Sequence, residues 1–168
     1  MLNINKLAEV TIKTCITQVA KCLTHNDQML AVAESCTGGW LAKVCTDLPG
    51  SSVWFDRGFV TYSNAAKQDM LGVQNTTIDT HGAVSQQTVE EMGSGALTHS
   101  RADWAIAISG VAGPGGGSEI NPVGSVWFSW TKKNQNPVSI KKIFSGDRNQ
   151  VREQAVEFAL EELAKLLK

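Results

Sequence analysis

No stretch of this 168-residue sequence is apolar for long enough to form the core of a secretory signal or to span a bilayer, which predicts a cytoplasmic protein with no membrane partner. An excess of charge of one sign is also missing. Lys and Arg number 15 against 16 Asp and Glu, and the basic residues are spread along the chain, so no stripe suited to nucleic acid is offered. Cys15, Cys22, Cys36 and Cys45 form no Cys-x-x-Cys pair and stand near no paired histidines, which removes the signature of a zinc site or a disulfide framework. Cys15, Cys22 and Cys45 read as small apolar fillers. His25, His81 and His99 are scattered and share no helical face with a carboxylate pair, so neither a histidine triad nor a metal centre is expected. The chain is too short for two ordinary domains and is read as one, residues 1–168. A small, discrete ligand fits this composition best.

The apolar residues that are present alternate between helical and strand patterns. Ile12, Ile16, Val19 and Leu23 predict an amphipathic helix, with Asn5 as a candidate cap and an end near Asn26-Asp27. Met29 to Ala33 reads as a short buried strand, and a helical pattern resumes at Trp40 to Val44 before Asp47-Leu-Pro-Gly50 stops it. Val53 to Phe55 and Gly58 to Tyr62 form a second strand region, followed by a helix capped by Asn64 and carrying Lys67 near its start. Ser85 opens another helix, weakened by Gly93 and Gly95, and Trp104 to Ser109 is a buried strand. Val123 to Trp130 and Val138 to Phe144 look like consecutive strands joined by a hairpin at Lys132 to Pro137. Asp147 with Gln150 resembles a capping box for an amphipathic last helix. The sum is an α/β fold, a three-layer α/β/α sandwich with a mixed, mostly parallel sheet and no internal repeat.

Four segments could carry chemistry. Ala33-Glu-Ser-Cys-Thr-Gly-Gly39 lies beyond the carboxyl end of a strand, where open α/β sheets bind ligands. Ser35 would be exposed there, and backbone N–H groups near Thr37, Gly38 and Gly39 could hold the oxyanion of a tetrahedral intermediate. The same pattern also describes a serine cap and a permissive glycine turn. Phe59 to Lys67 places the Tyr62 phenol at a strand end and the Lys67 amine at a helix start. A desolvated Lys67 could deprotonate a serine with Tyr62 relaying or orienting, although most lysines at such positions are simply solvated. The separation of Tyr62 from Lys67 is one residue too long for a short-chain dehydrogenase, and no dinucleotide turn follows the first strand. Ser109-Gly110 and the loop through Gly113 and Gly115 could cradle a phosphate or ribose, but the loop lacks a P-loop ending and otherwise reads as a flexible connection. Arg148, at the start of the last helix, could take a phosphate or stand as a surface arginine.

Six blocks, Ala33–Gly39, Pro49–Ser52, Gly58–Asn64, His81–Ser85, Ser109–Gly116 and Phe144–Arg148, together resemble the CinA C-terminal-domain family in order and over nearly the whole chain. The resemblance implies a five-stranded mixed sheet and hydrolysis of nicotinamide mononucleotide to nicotinate mononucleotide and ammonia, with no metal or organic cofactor. It matches Ser35 to the family's serine nucleophile, and Tyr62 and Lys67 to its proton-handling partners. Larger members carry an additional N-terminal domain that has no counterpart here, so no pyrophosphatase activity is expected. A nucleotide-binding regulatory module without chemistry, acting in a competence or DNA-damage response, is the competing expectation. Oligomeric state is left open, a homo-oligomer included.

Overall fold

The computed structural model describes the backbone of residues 4–168 and side chains from residue 11 onward. The chain runs as α1 (Ile4–His25), β1 (Leu30–Glu34), α2 (Trp40–Thr46), a 3-10 turn (Ser51–Val53), β2 (Phe55–Val60), α3 (Asn64–Leu71), α4 (Asn75–His81), α5 (Gln86–Thr98), β3 (Trp104–Gly110), β4 (Ser125–Lys132), β5 (Val138–Ile143) and α6 (Arg148–Leu166). The sheet order is β2-β1-β3-β4-β5. β1 pairs in parallel with both β2 and β3, whereas β4 is antiparallel to β3 and β5 to β4. Four of the five strands therefore point the same way, and the expected mixed sheet is present.

Its faces are covered unequally, for a reason visible in the strand residues. Leu30, Val32, Ile106 and Ile108 project into a core shared with Ile16, Val19 and Leu23 of α1, Leu41 of α2 and Val151, Leu160 and Leu163 of α6. The alternate residues Ala31, Ala33, Ala105 and Ala107 face Leu71 of α3, Ile78 of α4 and Val89, Met92 and Ala96 of α5. Period-two alternation thus sends large side chains to one layer and methyl groups to the other. On the large side, Phe128 stacks on Trp130 with centroids 5.7 Å apart and meets Phe158 edge-on at 5.0 Å. The Trp130 indole N–H donates to the Ala159 carbonyl, so its burial leaves no polar orphan.

The alanine side lets α5 approach closely. A Cβ at Gly93 would sit 2.5 Å from Thr131 Oγ1, and one at Gly95 would drive into the Leu71 carbonyl oxygen. The two glycines expected to weaken this helix are therefore what its packing requires. Other boundaries shift modestly. Ser63, not Asn64, caps α3, its side chain accepting from the Ala66 N–H. The short helix α4 was not expected from the pattern, since only Ile78 of its seven residues is buried. β1 starts one residue late and runs through Glu34, and β2 occupies Phe55–Val60. α1 already includes Asn5, and the capping expected of Asn5 lies outside the described side chains. The capping box at Asp147 and Gln150 forms as read.

Gly95→Ala should be destabilising although alanine favours helix by about 1 kcal/mol, because overpacking against α3 costs about 1–3 kcal/mol. Thermal unfolding compared with Ser94→Ala, on the exposed side of the same helix, checks this. An equal or higher melting temperature for Gly95→Ala would show that α3 yields.

Candidate active site

Parallel register brings the pieces together. Glu34 is level with Val60 of β2 and Ile108 of β3, so Ser35, Thr61-Tyr62 and Ser109-Gly110 gather at the carboxyl end of the parallel strands, Ser109 and Gly110 still paired there with β4. Two hydrogen bonds extend the ladder one step further, Thr61 N–H to the Glu34 carbonyl at 2.8 Å and Ser35 N–H to the Ile108 carbonyl at 2.9 Å. The resulting cleft has a volume of about 240 Å³ and is lined by Ser35, Lys67, Ser109 and Gly110, with Tyr62 and Arg148 also on its wall.

Lys67 is 1% exposed. Its place in the first turn of α3, just after the Ser63 cap, turns the side chain inward under the cleft. Nζ donates to Ser35 Oγ at 3.1 Å and to the Thr61 carbonyl at 2.8 Å. Burial holds the pKa of Lys67 below its ordinary value, only partly opposed by the nearby Cys36. The Cys36 thiol is itself pushed up to about 12 by burial, so it stays protonated beside Ser35.

The Ser35 turn is held by a residue the sequence reading did not single out. The fully buried Glu34 carboxylate accepts from the N–H groups of Gly39 at 3.1 Å, Leu41 at 3.1 Å and Ala42 at 2.8 Å. No capping-box spacing marks it, because Glu34 reaches the helix from the preceding strand. With Gly39 bound to Glu34 and the Gly38 N–H bound to the Ser35 carbonyl at 3.1 Å, these two amides are already engaged. The N–H groups of Cys36 and Thr37 make no described hydrogen bond to another residue. Thr37 is fully buried, with Oγ1 unpartnered among the described residues.

The other expected residues divide between wall, rim and surroundings. Ser109 Oγ donates to the Ala83 carbonyl at 2.7 Å, and Gly110 packs where a Cβ would meet the Ser125 carbonyl at 2.7 Å. Tyr62 is 61% exposed, and its hydroxyl accepts from Arg148 Nη2 at 2.8 Å. Arg148 Nη1 also donates to the Gly113 carbonyl at 2.7 Å, tying the glycine loop to α6. Gly115 is exposed, away from the cleft wall. A larger groove, about 940 Å³, lies behind the turn beside Ile16, Gly38, Trp40 and Arg152, and contains neither Ser35 nor Lys67. Among the described residues no group of three or more His, Cys, Asp or Glu could hold a metal ion, and no helix is long and apolar enough to cross a membrane.

The architecture is thus an α/β/α sandwich with a buried serine–lysine pair at the carboxyl ends of its parallel strands. The chain belongs to the CinA C-terminal domain family, whose model matches residues 12–167. It is 53% identical over 146 residues to the nicotinamide-nucleotide amidohydrolase PncC of Escherichia coli (strain K12), covering 87% of this chain and 88% of that protein. It is 46% identical over 155 residues to the protein of the same name from Pseudomonas putida, covering 92% and 96%. The crystal structure of the competence/damage inducible protein CihA from Agrobacterium tumefaciens superposes with a TM-score of 0.91 at 43% identity, covering 94% of this chain and 96% of that one.

Glu34→Gln should lower the melting temperature, since one carboxamide oxygen cannot accept from all three amides and its NH₂ would face donors. The expected cost is about 1.5–3 kcal/mol. Thermal denaturation with the wild type alongside measures it, and an unchanged midpoint would mean that the turn does not depend on the carboxylate.

Proposed function

We propose that this protein is an amidohydrolase that converts nicotinamide mononucleotide to nicotinate mononucleotide and ammonia, with Ser35 as nucleophile. The observation that carries the mechanism is the 3.1 Å approach of a buried lysine amine to Ser35 Oγ. The substrate is suggested by the likeness to the proteins named nicotinamide-nucleotide amidohydrolase. Because burial favours the neutral amine, Lys67 can offer a lone pair to the Ser35 hydroxyl while the Thr61 carbonyl takes one of its N–H groups.

The reaction then runs in two halves. Ser35 Oγ bonds to the carboxamide carbon as its proton passes to Lys67 Nζ. The oxyanion is held by the N–H groups of Cys36 and Thr37, the two amides of the turn without an acceptor in another of the described residues. Lys67 returns the proton to the departing nitrogen, the C–N bond breaks and ammonia leaves. Water then adds to the serine ester, giving its proton to Lys67. The ester C–O bond breaks, the proton returns to Ser35, and nicotinate mononucleotide is released. Arg148 and Tyr62, paired at the rim, suit the ribose phosphate, and Ser109 and Gly110 suit the pyridine side of the cleft. The described hydrogen bond of Tyr62 is with Arg148 rather than with Ser35 or Lys67, which favours an orienting role over proton relay.

Ammonia release from nicotinamide mononucleotide by purified protein is the deciding assay. Turnover by the wild type and a loss of about four orders of magnitude or more in Ser35→Ala, with the mononucleotide still bound, is the expected result. Binding without turnover by the wild type would favour a regulatory module. Ser35→Ala turning over normally would move the nucleophile elsewhere.

The lowered pKa of Lys67 also bears on the pH dependence. Because the folded pKa is lowered, kcat/KM should rise with pH as Lys67 loses its proton, and this acid limb should lie below the ordinary lysine value of 10.5. Lys67→Arg, which keeps its proton, should be as damaging as Lys67→Met, about 100-fold or more in kcat. An active Lys67→Arg variant would reduce Lys67 to an electrostatic anchor.

A further inference from the structure

Arg152 lies in α6, far along the chain from the Ser35 turn, yet it addresses that turn directly. Its Nε donates to the Cys36 carbonyl at 3.0 Å and its Nη2 to the Thr37 carbonyl at 2.8 Å. The guanidinium also lies over the Trp40 ring, 5.3 Å from the centroid, which fixes its plane. None of the described ion pairs includes Arg152. Among the described contacts, this half-buried guanidinium is engaged by two consecutive carbonyls and not by a carboxylate.

The geometry points to Arg152 as the positioning residue of the oxyanion site, an inference that rests on the amidohydrolase reading above. In a trans peptide the C=O and N–H lie in one plane and point in opposite directions. The Cys36 carbonyl and the Thr37 N–H belong to one such plane, so holding the carbonyl on the α6 side directs the Thr37 N–H away from α6. The second bond acts through one more link. The Thr37 carbonyl shares its plane with the Gly38 N–H, which donates to the Ser35 carbonyl at 3.1 Å. That carbonyl in turn shares its plane with the Cys36 N–H. Both chains of peptide dipoles therefore start at Arg152 and end at the two amides of the turn that have no acceptor in another of the described residues. Hydrogen bonds in series polarise one another, so the cation sharpens these N–H groups as donors as well as aiming them. Arg152 does not line the cleft and need not touch the substrate.

Such a residue acts on the charged tetrahedral state more than on the bound amide. The probes are nicotinamide mononucleotide and its pyridine-3-carbaldehyde analogue, which adds Ser35 Oγ to the aldehyde carbon and presents an alkoxide to the same amides. Arg152→Met should lower kcat by about ten- to a hundredfold with KM changed less than threefold, somewhat less than removal of an oxyanion donor outright. It should weaken the aldehyde by a similar factor, while affinity for nicotinamide mononucleotide, measured in a Ser35→Ala background, stays within threefold. Arg152→Lys, which can replace one of the two bonds, should fall between. Equal weakening of aldehyde and amide, or unchanged kcat in a folded Arg152→Met, would overturn the inference. If Arg152→Met fails to fold, Arg152→Lys decides by the same comparison: a selective loss against the aldehyde supports it, and an equal loss overturns it. A wild type that binds neither probe would overturn the amidohydrolase reading, and the inference with it.

Discussion

The turn from Glu34 to Gly39 is the constraint on which the rest of the site depends, and it is held from two directions by opposite charges. Glu34 draws the amides of Gly39, Leu41 and Ala42 toward the sheet. Arg152 draws the carbonyls of Cys36 and Thr37 toward α6. A peptide segment gripped by its donors at one end and its acceptors at the other has little freedom left to rotate its planes. Ser35 sits inside that grip, so its position relative to Lys67 follows from an anchor in β1 and another in α6.

The unequal faces of the sheet have a bearing on Lys67. Methyl groups at Ala31, Ala33, Ala105 and Ala107 bring the α3–α5 layer close. α5 packs against both α3 and the sheet without a side chain at Gly93 or Gly95 to hold them apart. Lys67 is thereby carried under the strand ends, where water is excluded and the neutral amine is favoured. Larger strand residues on that face would lift α3 and return the lysine to solvent. The core packing and the basicity of the amine are in this sense one property.

Much of this was legible in the sequence because it is local. Short apolar runs marked all five strands, two of them as buried strands, helical spacing marked α1 and α6, and the Asp147–Gln150 box forms. Ser35 and Ser109 read as lying at strand ends and Lys67 near a helix start, and all three line one cleft. What was not legible depends on partners distant in sequence. Glu34 serves a helix from a strand, without a capping signature. The amides of Gly38 and Gly39 look free in a glycine turn until their acceptors, Glu34 and the Ser35 carbonyl, are located in space. Arg152 bonds residues more than a hundred positions away, and its only local sign is the four-residue spacing from Arg148, which places both on neighbouring turns of one helix face. Helix α4 escaped notice because a helix with one buried residue has almost no apolar period to detect.

Two buried side chains of this protein are served by different sets of hydrogen-bond partners. Glu34 and Lys67 are both buried, yet they meet different surroundings. The carboxylate finds three backbone donors, which compensate a negative charge without any cation. Lys67 finds one carbonyl and one hydroxyl, too little to replace the hydration of an ammonium, and its proton is loosened. The two arginines of α6 show the complementary case: both donate to carbonyl oxygens, Arg148 at Gly113 on the rim and Arg152 at the turn. A lysine at position 152 would supply charge but not the planar fork that reaches two carbonyls at once. An arginine at position 67 would supply a fork but no lone pair. Each basic side chain is suited to its place by the property the other lacks.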